Sequence, residues 1–499
     1  MLGALTLLAL LLRVSSLSRG LYNDEAYSLA LAQRGFDPMF ALFGYEPNGT
    51  PYSIVLWPLI RIFGSDEALL RLPAVLAATA SVPALWWAAR RFTTPAGALL
   101  ATALLAISPM AVWYGGDARS YSFVVLATCL SIGALARAVG GHSTRWMWAG
   151  YAAAMVALAY SEIFAAPLLL VAQVPIVYRH GRAAVRRWLR CLAVVLACCV
   201  PLLVAAAIAR ERRDALYWLT KPNREIFELA AQEFTAGFSG LSTVRWATLA
   251  AGAALLVAAA AASRRNYGER SRIGTSALAV VLCWGLLPGA LLVAISFAVP
   301  VFWPRYAILS LPGLCLLLAL AVVRLWQSRS SVAASVVCVA VLVAAASIAD
   351  LRQRTAVQEG WPPIAAWLQH ERLSNQPVIV DNASVLPVLG YYYPPFRAGD
   401  GDLVVPEWHD RPLPRGFVGM KDRGGFGTVA DGPPSVEQLT ALARRGGGTV
   451  WLIVAEVVSR LQGNPAEGVA VAWARAHCRV QLRTAVEVSA VRVSGCVTR

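Results

Sequence analysis

The sequence predicts an all-α polytopic membrane domain of about eleven transmembrane helices, followed by a small C-terminal extracytoplasmic α/β domain. Three observations predict this. Hydrophobic residues make up 58% of the 499-residue chain and charged residues only 14%, where a soluble globular domain carries about 25% charged residues. The apolar residues are clustered into nearly uncharged runs, such as Leu189–Ala209 and Ser331–Ile348, of the roughly 17–25 residues that a bilayer-spanning helix needs. These runs recur along the first part of the chain and then stop, which divides it into residues 1–349 and 350–499.

The spans read as residues 1–18, 68–89, 95–113, 120–138, 146–160, 163–178, 190–209, 246–262, 274–299, 306–325 and 331–348. Met1–Leu17 lacks a basic leading region and an A-x-A cleavage site, so it reads as a first span rather than a signal peptide. Pro51–Phe63 is too short to span and contains Arg61, which fits a helix lying in the membrane interface. Charge arbitrates that choice. With Pro51–Phe63 on the surface, short arginine-rich loops all fall on one side: Arg90-Arg91, Arg137 and Arg145, Arg179 to Arg190, Arg264 to Arg272, and Arg324 with Arg329. Short basic loops mark the cytoplasmic side. The other side receives residues 19–66, 115–119, 161–162, 210–245, 300–305 and everything after Asp350, in longer loops of mixed charge. Functional groups concentrate in such loops.

The tail is rich in proline, glycine and charge. It reads as a helix near Pro363–Arg372, buried strands at Pro377–Asp381 and Thr449–Ala455, a helix at Ser435–Arg445, and a hairpin across Arg479–Val493. Pro394–Pro434 reads as loop. Seven cysteines lie in apolar runs as small hydrophobes. Cys478 and Cys496 can pair if the tail faces an oxidising compartment.

The formal net charge is +16. In a soluble chain that would suggest nucleic acid. Here topology accounts for the arginines, so no nucleic-acid partner is expected. The lysines are Lys221 and Lys421.

Candidate site residues follow from the outside loops. Asp24 and Glu25 come directly after the first span. A carboxylate there can act as a general base on a hydroxyl; equally, the pair can cap the helix that follows. Asp117 and Arg119 share a second short loop, with Tyr121 beyond them. Arg119 can grip a phosphate or make a local ion pair that caps the next span. Arg305-Tyr306 opens another span, where Arg305 can serve a ligand or snorkel beside an aromatic belt. Lys221, beside Tyr217 and Trp218, is a further candidate cation or a solvated side chain. Glu162 ends the fifth span. Together these groups suit an anionic lipid headgroup and a neutral hydroxyl acceptor. The histidines make no ligand cluster, and no P-loop, CxxC or HExxH is present. No cofactor is implied; a divalent metal is compatible with the isolated Asp residues but has no coordination set.

Four stretches make the chain similar to the GT-C superfamily of polytopic glycosyltransferases, in the branch with protein O-mannosyltransferases and the lipid A aminoarabinose transferase. They are Asn23-Asp24-Glu25-Ala26-Tyr27; Asn48-Gly49-Thr50-Pro51-Tyr52 leading to Ile62-Phe63-Gly64 and Leu70-Arg71-Leu72-Pro73; Asp117-Ala118-Arg119-Ser120-Tyr121; and Arg305-Tyr306 with Leu311-Pro312. The chain departs from relatives at Tyr160-Ser161-Glu162, where many show His-Tyr, and at Thr50-Pro51, where many show Pro-Pro. The resemblance implies an inverting glycosyltransferase of the cytoplasmic membrane. It would take a polyprenyl-phosphate-linked sugar to a glycan, lipid or protein hydroxyl outside that membrane. It implies Asp24 as base, Glu25 as its neighbour in the acidic motif, and Arg119 and Arg305 as phosphate binders. The competing expectation is a non-enzymatic transporter, flippase or assembly protein for lipid-linked glycans. A transporter would predict ionisable residues at mid-span and inverted repeats; here the charges read as loops and span ends.

Overall fold

The computed structural model describes residues 1–33, 50–140, 144–212, 219, 221–235, 237, 245–246, 248–250, 252–253, 272–327, 361–380, 386–394, 403–404, 435–454, 469–485, 488–494 and 496. Contacts divide the chain into two units. Unit one is Met1–Leu17, Phe36–Ala207 and Leu219–Thr355; unit two is Ser18–Gly35, Ile208–Trp218 and Ala356–Arg499.

The helices in chain order are α1 (Leu2–Val14), α2 (Asn23–Gln33), α3 (Thr50–Phe63), α4 (Glu67–Ala89), α5 (Pro95–Ile107), α6 (Pro109–Tyr114), α7 (Tyr121–Val139), α8 (Arg145–Ser161), α9 (Ala165–Tyr178), α10 (Gly181–Cys198), α11 (Val200–Arg212), α12 (Arg224–Thr235), α13 (Arg272–Gly285) and α14 (Leu287–Ala298). A 3₁₀ turn at Pro304–Ser310 leads into α15 (Leu311–Gln327). Helices α16 (Trp361–Glu371), α17 (Leu386–Tyr392), α18 (Val436–Arg445) and α19 (Val469–His477) belong to unit two, with strands β1 (Val378–Val380), β2 (Leu403–Val404), β3 (Val450–Val454), β4 (Arg479–Ala485) and β5 (Val488–Ser494).

In unit one, α7 packs against α4 and α8, α1 against α4, and α15 against α5 and α13. Among the described residues, four helical stretches are long and apolar enough to cross a membrane: Glu67–Ala89, Tyr121–Val139, Leu278–Ala298 and Pro304–Val323. Leu2–Val14, Pro95–Ile107 and Ala165–Tyr178 are apolar but shorter. The chain is a multi-span membrane protein. The span expected at 331–348 lies outside the described residues, and that at 246–262 largely so.

Two expected elements need correction. Arg182, Arg186, Arg187 and Arg190 are not loop residues: they lie within α10, whose amphipathic sequence carries them on helical turns, and α10 meets α11 at a bend of 55°. The expected span 95–113 is broken, because Pro109 has no N–H to continue the helical ladder and Ser108 caps the new helix by accepting from Ala111 N–H. By contrast, the Pro51–Phe63 segment lies in a single 14-residue helix, Thr50–Phe63, about 21 Å long at 1.5 Å per residue, short of a ~30 Å hydrocarbon core.

Helices α13 and α15 cross with almost no side chain between them. A Cβ built on Gly313 would lie 2.5 Å from the Gly285 nitrogen and 2.7 Å from the Trp284 carbonyl carbon.

In unit two the sheet order is β2-β1-β3-β5-β4. Strands β2, β1 and β3 run parallel and β3, β5 and β4 antiparallel. The strand period of two separates the faces. Val450 and Leu452 join Ile379, Leu439, Ala443, Trp473 and Ala474 in one apolar cluster, while Trp451 meets Trp367 of α16 edge-on at 4.7 Å. Ser435 and Gln438 form a capping box at the start of α18. A disulfide joins Cys478 to Cys496 beside the cluster. The loop expected at 394–434 lies almost wholly outside the described residues.

The Gly285–Gly313 crossing yields a first test. Gly313→Leu should cost on the order of 1–3 kcal/mol through overpacking and lower the melting midpoint of the detergent-solubilised protein. Gly150→Leu, at an exposed helical position with nothing within 4 Å of the added Cβ, should leave the midpoint unchanged. Equal midpoints for the two variants would refute the close-crossing account.

Candidate active site

The site in unit one is built on the broken helix. The break between α5 and α6 leaves carbonyls at the end of α5 without their helical donors. Arg13, wholly buried at the end of α1, donates to Ala106 O at 3.1 Å and to Ala9 O at 2.9 Å. Arg71, also wholly buried, donates from α4 to Ser16 O at 3.2 Å. The two arginines thereby pin the end of α1 to α4 and α5. Gly115 and Gly116 let the loop after α6 lie on that end: a Cβ at Gly115 would approach Arg13 Nε to 2.8 Å, and one at Gly116 would strike Ser16 Oγ. Asp117 follows directly and is fully buried.

A cluster forms around this loop. Tyr114, at the end of α6, donates its hydroxyl to Glu233 Oε2 at 2.9 Å, and both residues are buried. The Tyr114 and Tyr121 rings meet edge-on at 5.1 Å. The Arg305 guanidinium lies 5.6 Å from the Tyr121 ring centre and 5.9 Å from that of Tyr306. Glu233 stands in the field of both Arg305 and Asp117. Burial pushes the Glu233 carboxyl up to about 7; the Tyr114 hydrogen bond and the Arg305 charge pull it down, and Asp117 pushes it further up. Such a carboxyl is close to half protonated near neutral pH.

Of the residues singled out in the sequence, Asp117, Tyr121, Arg305 and Tyr306 are therefore brought together. Arg119 is half-buried in the same loop. Glu162 is buried next to that loop, where Ser120 Oγ donates to Ser161 O at 2.6 Å. Lys221 is exposed, ahead of α12. Glu233 was not singled out, although a signal was present. In Ile226-Phe227-Glu228-Leu229-Ala230-Ala231-Gln232-Glu233, Glu233 falls seven residues after buried Ile226, on the same helical face. An acid on the apolar face of an amphipathic helix is the mark of a buried carboxylate.

Unit two holds the acidic pair. Glu25 is fully buried at the start of α2. Its Oε2 accepts from the Tyr22 N–H at 3.3 Å, and its Oε1 lies 3.8 Å from Arg19. Arg19 is itself buried, 6.0 Å from the Tyr22 ring centre. This is the return half of a capping box, so Glu25 holds the helix start. Asp24 is half-buried in the same turn. The segment ahead of α2 is anchored within unit two: Leu21 N–H donates to the Tyr392 hydroxyl at 2.7 Å, and Gly20 lies against Pro362 and Tyr392. Among the described residues no three His, Cys, Asp or Glu side chains are grouped as a metal would need.

With this geometry in hand, the chain can be compared with known proteins. Residues 50–205 match the family model for dolichyl-phosphate-mannose-protein mannosyltransferases. That segment contains Arg71, Tyr114, Asp117, Arg119, Tyr121 and Glu162, and leaves out Asp24, Glu233 and Arg305. No curated protein matches the chain in sequence. Among solved structures, the chain is similar to ArnT from Cupriavidus metallidurans in the apo state, with a TM-score of 0.59 and 13% identity, covering 98% of this chain and 97% of that one. It is similar to the same protein bound to undecaprenyl phosphate, with a TM-score of 0.58 and 14% identity over 100% of this chain and 98% of that one. It is also similar to the Archaeoglobus fulgidus oligosaccharyltransferase in complex with zinc and sulfate, with a TM-score of 0.54 and 13% identity over 98% and 72%. The fold is thus that of these solved structures, and the sequence likeness to the mannosyltransferase family model lies in residues 50–205.

Glu233 sets a pH dependence. Its folded pKa lies above its unfolded value, so the folded state binds the extra proton. Stability is greatest below the ordinary carboxylate range and falls as pH rises toward about 7. Glu233→Gln keeps an acceptor for Tyr114 and removes the buried charge. It should therefore raise the melting midpoint at pH 8, by an amount equivalent to at most about 3 kcal/mol, and leave it nearly unchanged at pH 4.5. A variant equally shifted at both pH values would contradict the assignment.

Proposed function

We propose that this chain is a membrane glycosyltransferase that moves a sugar from a polyprenyl-phosphate-linked donor to a hydroxyl of a glycan, lipid or protein acceptor, on the extracytoplasmic face and with inversion at the sugar carbon. The observation that carries the reading is the grouping of Arg305, Tyr121, Tyr306, Asp117 and Glu233 around one loop of unit one. The fold likeness to ArnT, solved with undecaprenyl phosphate, supports the donor class.

In this reading Asp24 takes the proton of the acceptor hydroxyl as it attacks the sugar carbon. The carbon–oxygen bond to phosphate breaks on the opposite face, and the polyprenyl phosphate leaves with the bonding pair. Arg305, with Arg119, stabilises the charge that develops on the leaving phosphate, because fixed guanidinium donors need no reorganisation. Lys221, exposed in the structure, attracts the headgroup at most from a distance. Glu25 supports Asp24 by holding the first turn of α2. Orientation rests on the arginine asymmetry of the loops, and the Cys478–Cys496 disulfide suits an oxidising compartment. Residues 350–499 would then lie outside, where acceptors are met.

In a deletion strain, mass spectrometry of envelope glycans should show one missing linkage. Wild-type protein should restore it. Asp24→Asn, expressed at the same level, should restore less than about 1% of it, in line with loss of a general base. Full restoration by Asp24→Asn would remove Asp24 as the base. For orientation, a reporter fused after Arg499 should read as extracytoplasmic and one fused after Arg265 as cytoplasmic; the reverse pattern would place the chemistry inside the cell.

A further inference from the structure

Glu233 has no task in the transfer step as derived above, yet it sits in the same cluster as Arg305. A buried carboxylate that is merely structural would be expected to hold a full ion pair or a backbone cap. Glu233 has neither among its described contacts: its hydrogen bond comes from the neutral Tyr114 hydroxyl. The charged and titratable groups around it come from every element packed on α12. Helix α6 contributes Tyr114, the loop after it Asp117, and the 3₁₀ turn Arg305. On α12 itself, Arg224 and Glu228 pair with each other at 2.8 Å at the exposed end. At the buried end Glu233 stands in the field of both Arg305 and Asp117.

A lipid phosphodiester arriving at Arg305 adds a third negative charge to this low-dielectric corner. Like charges so placed favour protonation of whichever acid is closest to titrating. We infer that Glu233 is the proton-uptake group of the donor site: it takes a proton from solvent as the lipid phosphate docks on Arg305, and returns it when the phosphate leaves. The step is a proton transfer alone, carboxylate plus proton giving carboxylic acid, with no other bond changed. Neutral Glu233 still accepts from Tyr114, no longer draws on the Arg305 charge, and leaves the guanidinium to the phosphate. That Glu233 already stands near half protonation at neutral pH, with its carboxyl at about 7, makes the uptake small in cost. Glu233 is thus a positioning residue acting through Arg305. The inference rests on the donor reading above and adds to it a proton count.

The test uses the purified full-length protein in nanodiscs and the methyl ester of undecaprenyl phosphate, a phosphodiester with fixed charge across the range studied. Calorimetric titration at pH 7 in Pipes and in Tris, whose ionisation heats differ, gives the number of protons taken up on binding. The wild type should take up about half a proton per phosphate, and its affinity should weaken between pH 6 and pH 8. Glu233→Gln should bind with no uptake and a flat profile over that range. Tyr114→Phe, which removes the hydrogen bond that lowers the Glu233 carboxyl, should take up less than the wild type at pH 7. Binding without proton uptake in the wild type, or equal uptake in Glu233→Gln, would overturn the inference while leaving the donor reading intact. Absence of binding to the wild type would overturn both.

Discussion

The hydrogen bond from Tyr114 to Glu233 exists only because several other groups hold it out of water. Tyr114 ends α6, and α6 exists because Pro109 stops α5 and Ser108 restarts the chain. The break would leave polar carbonyls in an apolar interior, a cost of roughly 1–3 kcal/mol for each unmet group. Arg13 meets the Ala106 carbonyl, and Arg71 secures the end of α1 where the Gly115-Gly116 turn lies. A charge buried next to backbone dipoles is held rigidly, since any movement would strip its partners. Arg13 and Arg71 are therefore scaffold, and Asp117 and Glu233, with Arg305 acting on Glu233, are grouped at the loop that this scaffold holds.

The acidic pair divides in the same way. Adjacent residues at a helix start point in different directions, about 100° apart around the axis. Glu25 turns inward and satisfies the Tyr22 N–H and Arg19. Asp24 turns to the half-exposed side. The two readings open in the sequence, base or cap, were posed of the pair as a unit. The structure gives the cap contact to Glu25, with Asp24 half-buried beside it in the same turn.

A shared fold does not bring a shared substrate with it, because function resides in particular side chains grafted onto the architecture. At 13% identity to ArnT, most of this chain's surface chemistry is its own. The segment that matches the mannosyltransferase family model, 50–205, supplies the scaffold and one edge of the cluster. Glu233 and Arg305 come from elsewhere in the chain, from the loop helix α12 and the 3₁₀ turn.

What could be read in the sequence follows from what generates a local pattern. Helix α4 and helix α7 show as long apolar runs, Val378–Val380 and Val450–Val454 as short uninterrupted apolar runs, and the β4–β5 hairpin as an alternation, so these elements lie where the sequence puts them. Asp117 and Arg305 were legible as charges at span ends. The break at Ser108 was masked by apolar residues on both sides, and hydropathy does not register a missing N–H. Arg13 and Arg71 passed as span-end charges because their partners, the carbonyls of Ala106 and Ser16, are made available only by tertiary packing. Glu233 was lost for a related reason. Its helix was read as part of a solvated loop, where an acid needs no account, and only the packing of Ile226 inward turns the same residue into a buried charge. A carboxylate seven residues from a buried isoleucine must either face the core or break the helix's apolar stripe. Here it faces the core, and the cost of holding it there is what pushes its carboxyl up to about 7.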